Sequence, residues 1–167
     1  MNDELTQKDI QKMQEEIDYR KTEVRTKALE DLKEAKSHGD LSENFEYYAA
    51  KRFNAQNESR IRYLEKMIRT ARIISDESAD DEVGLYNLVT VEFLDDGTQE
   101  VYKIVTSVRS NSLENLITND SPLGKALLGR KVGDVVHVQV NDAIGYDVRV
   151  VHIENTVDDG SDRLRRY

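Results

Sequence analysis

Residues 38–51 read "HGDLSENFEYYAAK", and three carboxylates fall close together in that stretch: Asp40, Glu43 and Glu46. Carboxylate oxygens are hard donors of the kind Mg²⁺ takes. That ion keeps most of its water and is commonly held by one or two carboxylates together with substrate phosphates. Two acids are too few to build a strong metal site alone, but they can complete one that a partner supplies in part. A metal so placed orients and activates water for phosphodiester hydrolysis. Asp40 and Glu43 also fit a plainer role, because "DLSE" has the Asp-x-x-Glu spacing of a helix cap. Asp40 would accept from a backbone N–H near Glu43, and the Glu43 side chain would reach back to the Asp40 N–H, a device worth about 1 kcal/mol. The two roles are compatible, since acids that cap in the free protein can turn outward at a partner. His38, just before them, can ligate a metal or shuttle protons, though a lone turn histidine usually does neither.

The elements on either side decide where these acids stand. Residues 6–36 contain no Gly or Pro. Apolar residues recur at Ile10, Met13, Ile17, Val24, Ala28, Leu32 and Ala35, which is helical periodicity. Thr6 with Asp9 three residues on is a weak N-terminal cap. A second run, Tyr47, Ala50, Asn54, Asn57, Ile61, Leu64, Ile68 and Ala71, keeps steps of three and four throughout. Gly39 is the only glycine between the runs. Two long amphipathic helices with a short Gly-containing link predict an antiparallel hairpin with a narrow seam like that of a two-stranded coiled coil. Asn54 and Asn57 fall on the seam, where polar residues set register at a cost in stability. The first helix would be on the order of 45 Å long. Such a rod encloses little core and is better suited to reaching something.

The predicted boundaries place the hairpin at residues 1–76 with its acidic tip at 38–47, an acidic linker at 77–84, a second domain at 85–154 and a polar tail at 155–167. In the second domain the period changes to two. "NLVTVEF" and "EVYKIV" flank an Asp96-Gly97 hairpin turn, "ENLIT" follows, and "DVVHVQV" and "YDVRVVHI" are joined at "NDAIG". Ser121 as cap and Pro122 at the first helical position start a short helix that Gly129 ends. The result is an α+β domain of about five antiparallel strands and one short helix. The net charge of −9 argues against a free-standing binder of duplex DNA. Without cysteine there is neither a disulfide nor a zinc–thiolate site. The first residues lack an apolar signal core and no run approaches transmembrane length, so a soluble cytoplasmic protein with no membrane partner is expected.

Helix two is basic: Lys51, Arg52, Arg60, Arg62, Lys66 and Arg69, with Arg72 beyond, are opposed there only by Glu58 and Glu65. Arg62, Lys66 and Arg69 share a face. This is either a solvated flank or a stripe that attracts phosphates, which are bound without reading sequence. Tyr47 and Tyr48 can stack on bases or pack across the seam. His137 and His152 alternate with apolar residues and belong on a solvated sheet face. Neither a Gly-rich phosphate loop nor a Ser-His-Asp constellation is present.

"GDLSENFEYYAAK" resembles the tip motif of the Gre transcript cleavage factors, Gly-Asp-Leu-x-Glu-Asn-x-Glu-Tyr-x-Ala-Ala-Lys/Arg, and matches every fixed position. "SPLGKALLGRKVGDVV" is similar to the family's second signature. The resemblance covers most of the chain and stops before the tail. It implies a coiled-coil hairpin followed by an FKBP-like domain, acting as a monomer on backtracked bacterial RNA polymerase. The globular domain would dock at the secondary-channel rim through Ser121, Pro122, Gly124, Gly129, Gly133 and Asp134. The hairpin would enter the channel, and Asp40 and Glu43, with Glu46 in a less defined role, would hold a Mg²⁺ jointly with the polymerase. Lys51, Arg52, Arg62, Lys66 and Arg69 would contact the nascent RNA 3′ end. The polymerase would then cut its own transcript, so the chain assists an enzyme without being one. Phe45 departs from the Ala often found in the family, which bears on the degree of activity more than its kind. Rival readings are a secondary-channel inhibitor on the same scaffold, an FKBP-like chaperone or prolyl isomerase, and a free-standing metal hydrolase. Three Phe and no Trp make a poor prolyl pocket. Two acids without a histidine partner make a poor hydrolase.

Overall fold

The computed structural model describes residues 3–39 and 44–166. Two compact units emerge: residues 10–71, and residues 4–9 together with 72–166.

The first unit is the expected helical hairpin. Helix α1 (Gln7–Tyr19) runs through a π-helical turn (Arg20–Val24) into α2 (Arg25–Lys36), and α3 (Phe45–Thr70) returns antiparallel to them. Met13, Ile17, Ala28 and Ala35 are buried on one side of the seam, Asn57, Ile61 and Leu64 on the other, at the predicted positions. The π turn departs from the single α-helix expected over residues 6–36. It rests on a tertiary contact, since the Asn57 side chain donates to the Arg20 carbonyl (3.3 Å) and accepts from Arg20 Nη1 (3.0 Å). The Arg20 carbonyl also accepts the Arg25 N–H that closes the π turn, so it serves two donors. Asn57 therefore ties the seam to one point on the opposite helix. Asn54 is half-buried, and among the described residues its carbonyl oxygen has no hydrogen-bond donor.

In the second unit β1 (Glu4–Leu5) pairs in parallel with β2 (Arg72–Ile73). A five-stranded sheet follows, in the order β5-β4-β3-β7-β6, from β3 (Leu88–Phe93), β4 (Gln99–Val105), β5 (Leu116–Thr118), β6 (Val135–Gln139) and β7 (Gly145–Glu154). Inward residues alternate along the strands, with Val89 and Val91, Val136 and Val138, and Val148 and Val150 all buried. The short helix α4 (Pro122–Leu127) adds Leu123 and Leu127 to this core. A long hairpin followed by an antiparallel-rich α+β domain is the architecture expected from the sequence. One pairing differs: β5 lies parallel to β4, because residues 106–115 cross over through two 3-10 turns instead of closing a hairpin.

Three segments are held more firmly than the sequence suggested. Residues 4–9, assigned there to the hairpin, pack in the second unit. The end of the acidic linker enters the core, with Val83 and Gly84 buried. A Cβ at Gly84 would sit 2.1 Å from Ser78 Oγ and 2.5 Å from Ser78 Cβ, so any larger residue would displace Ser78. The tail is pinned as well: Asp158 is buried against Arg109, and the Arg165 N–H donates to the Val108 carbonyl (2.6 Å). No described helix is long and apolar enough to cross a membrane.

Candidate functional site at the hairpin tip

Helix α2 ends at Lys36, and Gly39 takes the left-handed φ of +110° that lets the chain turn away. Asp40 and Glu43 lie outside the described residues. The base of the tip is nevertheless defined on both sides. Asn44 is the N-cap of α3, its Oδ1 accepting from the Tyr47 N–H (3.0 Å). Its Nδ2 donates to the Ala35 carbonyl near the end of α2 (2.6 Å), so a single side chain joins both helix ends. The bonds expected of Asp40 and Glu43 in "DLSE" lie outside the described residues, but the cap of α3 itself is another residue. The cap of α3 is Asn44, four residues after Asp40, and α3 starts at Phe45, four residues beyond the start that a cap at Asp40 would give. Asn is among the best N-caps, so the signal was present in the sequence and was masked by the neighbouring Asp-x-x-Glu.

Glu46, in the first turn of α3, accepts from His38 Nδ1 (3.1 Å), both side chains being largely exposed. His38 thus has a partner across the tip base. Tyr47 packs on the seam with Lys36 Nζ 6.0 Å from its ring, while Tyr48 meets it edge-on and stays exposed. A cleft of about 440 Å³ between α2 and α3, rimmed by Asp31, Glu34 and Glu46, makes this side of the hairpin acidic.

The opposite face of α3 is basic. At about 100° per residue, Lys51, Arg52, Arg62, Lys66 and Arg69 fall on one arc away from the seam, and all five are exposed. Among the described residues none of them makes an ion pair. The acids that opposed them in the sequence are engaged elsewhere. Glu58 takes a two-pronged contact from Arg25 (2.7 and 2.9 Å), and Glu65 pairs with Lys21 (2.7 Å). Arg60 does not belong to this face. It is buried and bonded to Glu16 (2.8 Å), which also receives Arg20 (2.7 Å). Burial pushes the Glu16 carboxyl up, but the hydrogen bonds from Arg60 and Arg20 outweigh it and hold the group below the usual range.

Two family models match this chain along most of its length. The model described as "Transcription elongation factor, N-terminal" covers residues 4–73, and that described as "Transcription elongation factor, GreA/GreB, C-term" covers residues 77–155. The chain belongs to the GreA/GreB family of transcription elongation factors. A transcription elongation factor GreA of Bacillus subtilis strain 168 is 46% identical over 135 residues, 81% of this chain and 86% of that protein. One of Streptococcus sanguinis is 39% identical over 155 residues, 92% and 96% of the two. Among solved structures, GreA factor homolog 1 of Thermus thermophilus aligns over 93% of this chain and 100% of its own at 28% identity, with a TM-score of 0.43.

In this GreA/GreB protein the second signature does much structural work. Ser121 Oγ caps α4 by accepting from the Gly124 N–H (3.0 Å). Gly124 is buried, and a Cβ there would lie 2.0 Å from the Thr118 carbonyl oxygen. Gly129 and Gly133 adopt φ of +79° and +94°. Asp134 accepts from the Lys131 N–H (2.9 Å). Pro122, Gly129 and Gly133 are exposed along α4 and the turn after it, together with Lys125, Arg130 and Lys131.

Proposed function

We propose that this GreA/GreB protein binds backtracked bacterial RNA polymerase through its secondary channel and stimulates the polymerase's own cleavage of the nascent transcript. RNA polymerase is the partner that an elongation factor's family implies. The observation that carries the reading is the cap of α3: Asn44 starts that helix, so Asp40 and Glu43 are not required to do so.

The donor set fits a shared ion. Asp40 and Glu43, with Glu46 nearby, offer only hard carboxylate oxygens, the type Mg²⁺ takes. The ion, when held jointly, supplies charge stabilisation and an activated water for phosphodiester hydrolysis. The chain's residues present the carboxylates. Asn44 joins the ends of α2 and α3 at the base of the tip, and Glu46 is braced by His38. Lys51, Arg52, Arg62, Lys66 and Arg69 offer unpaired charge to the phosphates of the RNA 3′ segment. Helix α4 and the turn through Gly133 and Asp134 form the docking face at the channel rim. The protein is then a cofactor of an enzyme.

Asp40→Asn combined with Glu43→Gln tests this on a stalled elongation complex. Both replacements keep hydrogen-bonding shape and remove the charge the ion needs. The double variant is expected to fold, bind polymerase and lose cleavage stimulation by at least about a hundredfold, the scale of a positioned catalytic group. Near-normal cleavage by a folded double variant would sink the reading. Polymerase binding without cleavage by the unaltered chain would point instead to an inhibitor, with the exposed Phe45 as the first residue to revert.

A further inference from the structure

The tail carries the molecule's other concentration of arginines, and the matched family spans end at residue 155. Its acids and its bases are treated differently by the fold. Asp158 is buried, gripping Arg109 through both oxygens (3.0 and 2.9 Å). Asp162 pairs with Lys103 (3.1 Å), and Asp159 accepts from the Ser161 N–H (2.9 Å) and hydroxyl (2.5 Å). Among the described residues every side-chain carboxylate of the tail is thus turned to an internal partner. Arg163, Arg165 and Arg166 are exposed, and among the described residues none makes an ion pair. They line a polar cleft of about 620 Å³ with Ser110, Asn111 and Ser161. Among the described residues Glu114 is the single carboxylate that lines it. The arginine strand is fixed there, because the Arg165 N–H donates to the Val108 carbonyl and Arg109 Nη1 donates to the Asp162 carbonyl (3.2 Å).

We infer that this tail-lined cleft is a second anion site, one that takes the phosphodiester backbone of a nucleic acid. Three guanidiniums spaced along a pinned strand match phosphates repeated along a chain, each fork meeting a phosphate through two parallel bonds. The hydroxyl and amide groups beside them add donors without reading bases. An acidic peptide is the poorer fit. Leu116 is buried and Leu164 half-buried, so the cleft offers no open apolar socket to anchor a peptide side chain. Nothing in the site depends on the tip acids.

The test uses the full chain carrying Lys51→Gln, Arg52→Gln, Arg62→Gln, Lys66→Gln and Arg69→Gln, so that the hairpin face cannot supply the binding. Anisotropy of a fluorescein-labelled oligodeoxythymidine is titrated, single-stranded and as a duplex, from about 50 to 200 mM salt. This protein is expected to bind at low salt. Adding Arg163→Gln, Arg165→Gln and Arg166→Gln should abolish binding or lower the salt slope by about two, since each lost phosphate contact is worth roughly 0.7–0.9 in that slope. The corresponding triple Arg→Lys change should keep most of the slope while weakening binding, because the charge remains and the fork is lost. Melting curves that superpose for all three proteins exclude unfolding, as expected for exposed side chains with no partner. Absence of binding by the hairpin-face variant would overturn the inference. So would binding that ignores the tail, or tail-dependent binding of polyglutamate in place of the oligonucleotide. Cleavage is not read in any arm, so these outcomes leave the tip proposal untouched.

Discussion

At the scale of single residues, several of the motif positions read as functional also hold the backbone together. Gly124 shows this most sharply. Its missing side chain makes room for the Thr118 carbonyl, 2.0 Å from where a Cβ would stand, and backbone at that position cannot swing aside as a side-chain tip could. Gly124→Ala is therefore expected to destabilise the second unit by about 1–3 kcal/mol, the usual range for overpacking. Pro122→Ala, at an exposed position one residue after the cap, should change stability far less. Denaturant midpoints of the two variants check this. If Gly124→Ala melts like the unaltered chain, the residue belongs to a docking face and not to the fold. The same scale shows what the sequence could reveal. The Thr6/Asp9 box was legible because it is local, and both its bonds are present: Thr6 N–H to Asp9 (2.9 Å) and Asp9 N–H to Thr6 Oγ1 (3.2 Å). Asn44 was equally local but stood beside a second pattern that obeyed the same rule. Arg109 gave no signal, because its partners Asp9 and Asp158 lie far away along the chain.

At the scale of elements, the hairpin seam was legible from spacing alone, since burial follows the three-and-four steps of both helices. The π turn and the cross-helix ion pairs were not. They depend on which residue of one helix faces which of the other, and periodicity does not give that register. These pairs make the hairpin acid-sensitive. Glu16 is held below its ordinary pKa, burial being outweighed by Arg60 and Arg20, and Glu58 is lowered first by its hydrogen bonds to Arg25. A carboxyl whose folded pKa is depressed binds its proton more readily in the unfolded chain. Its contribution is complete above the unfolded value of 4.5 and is lost as pH falls through the folded value. The hairpin should thus begin to lose stability near about pH 5 and continue to lose it on further acidification. Glu16→Gln should cost on the order of 1–3 kcal/mol at neutral pH, because Arg60 remains buried with weaker bonds. It should also flatten the acid limb of a helical circular dichroism titration. An acid limb unchanged by Glu16→Gln would show that other carboxyls carry the dependence.

At the scale of the whole chain, the second unit is assembled from sequence segments that lie far apart. Arg109, at 1% side-chain exposure, holds Asp9 near the start of the chain (Nε to Oδ1, 2.9 Å) and Asp158 near its end. Burial works against the guanidinium's charge, but the hydrogen bonds to Asp158, with Tyr86 and Asp9 beside it, outweigh burial and keep the pKa raised. Asp9 is further satisfied by Tyr86 Oη (3.0 Å) and Thr106 Oγ1 (2.7 Å). Thr156 adds a hydroxyl bond to the Tyr86 carbonyl, so the tail closes over the same residues. A segment read from composition as a free polar tail is thereby part of the fold. Asp158→Ala should reveal it. Removing one partner of a buried ion pair leaves charge without compensation, a change that costs about 3–5 kcal/mol. Asp9 remains as a counter-charge, which places the expected loss toward the lower end. Asp158→Asn keeps the shape and one acceptor, and should lose clearly less. Chemical denaturation of the full chain measures the difference. Amide exchange should then quicken at Arg165, whose N–H bonds the Val108 carbonyl, and at Ile74, whose N–H bonds the Leu5 carbonyl. If Asp158→Ala is as stable as the unaltered chain and exchange at Arg165 is unchanged, the tail is an appendage after all and its arginines are not held at the cleft.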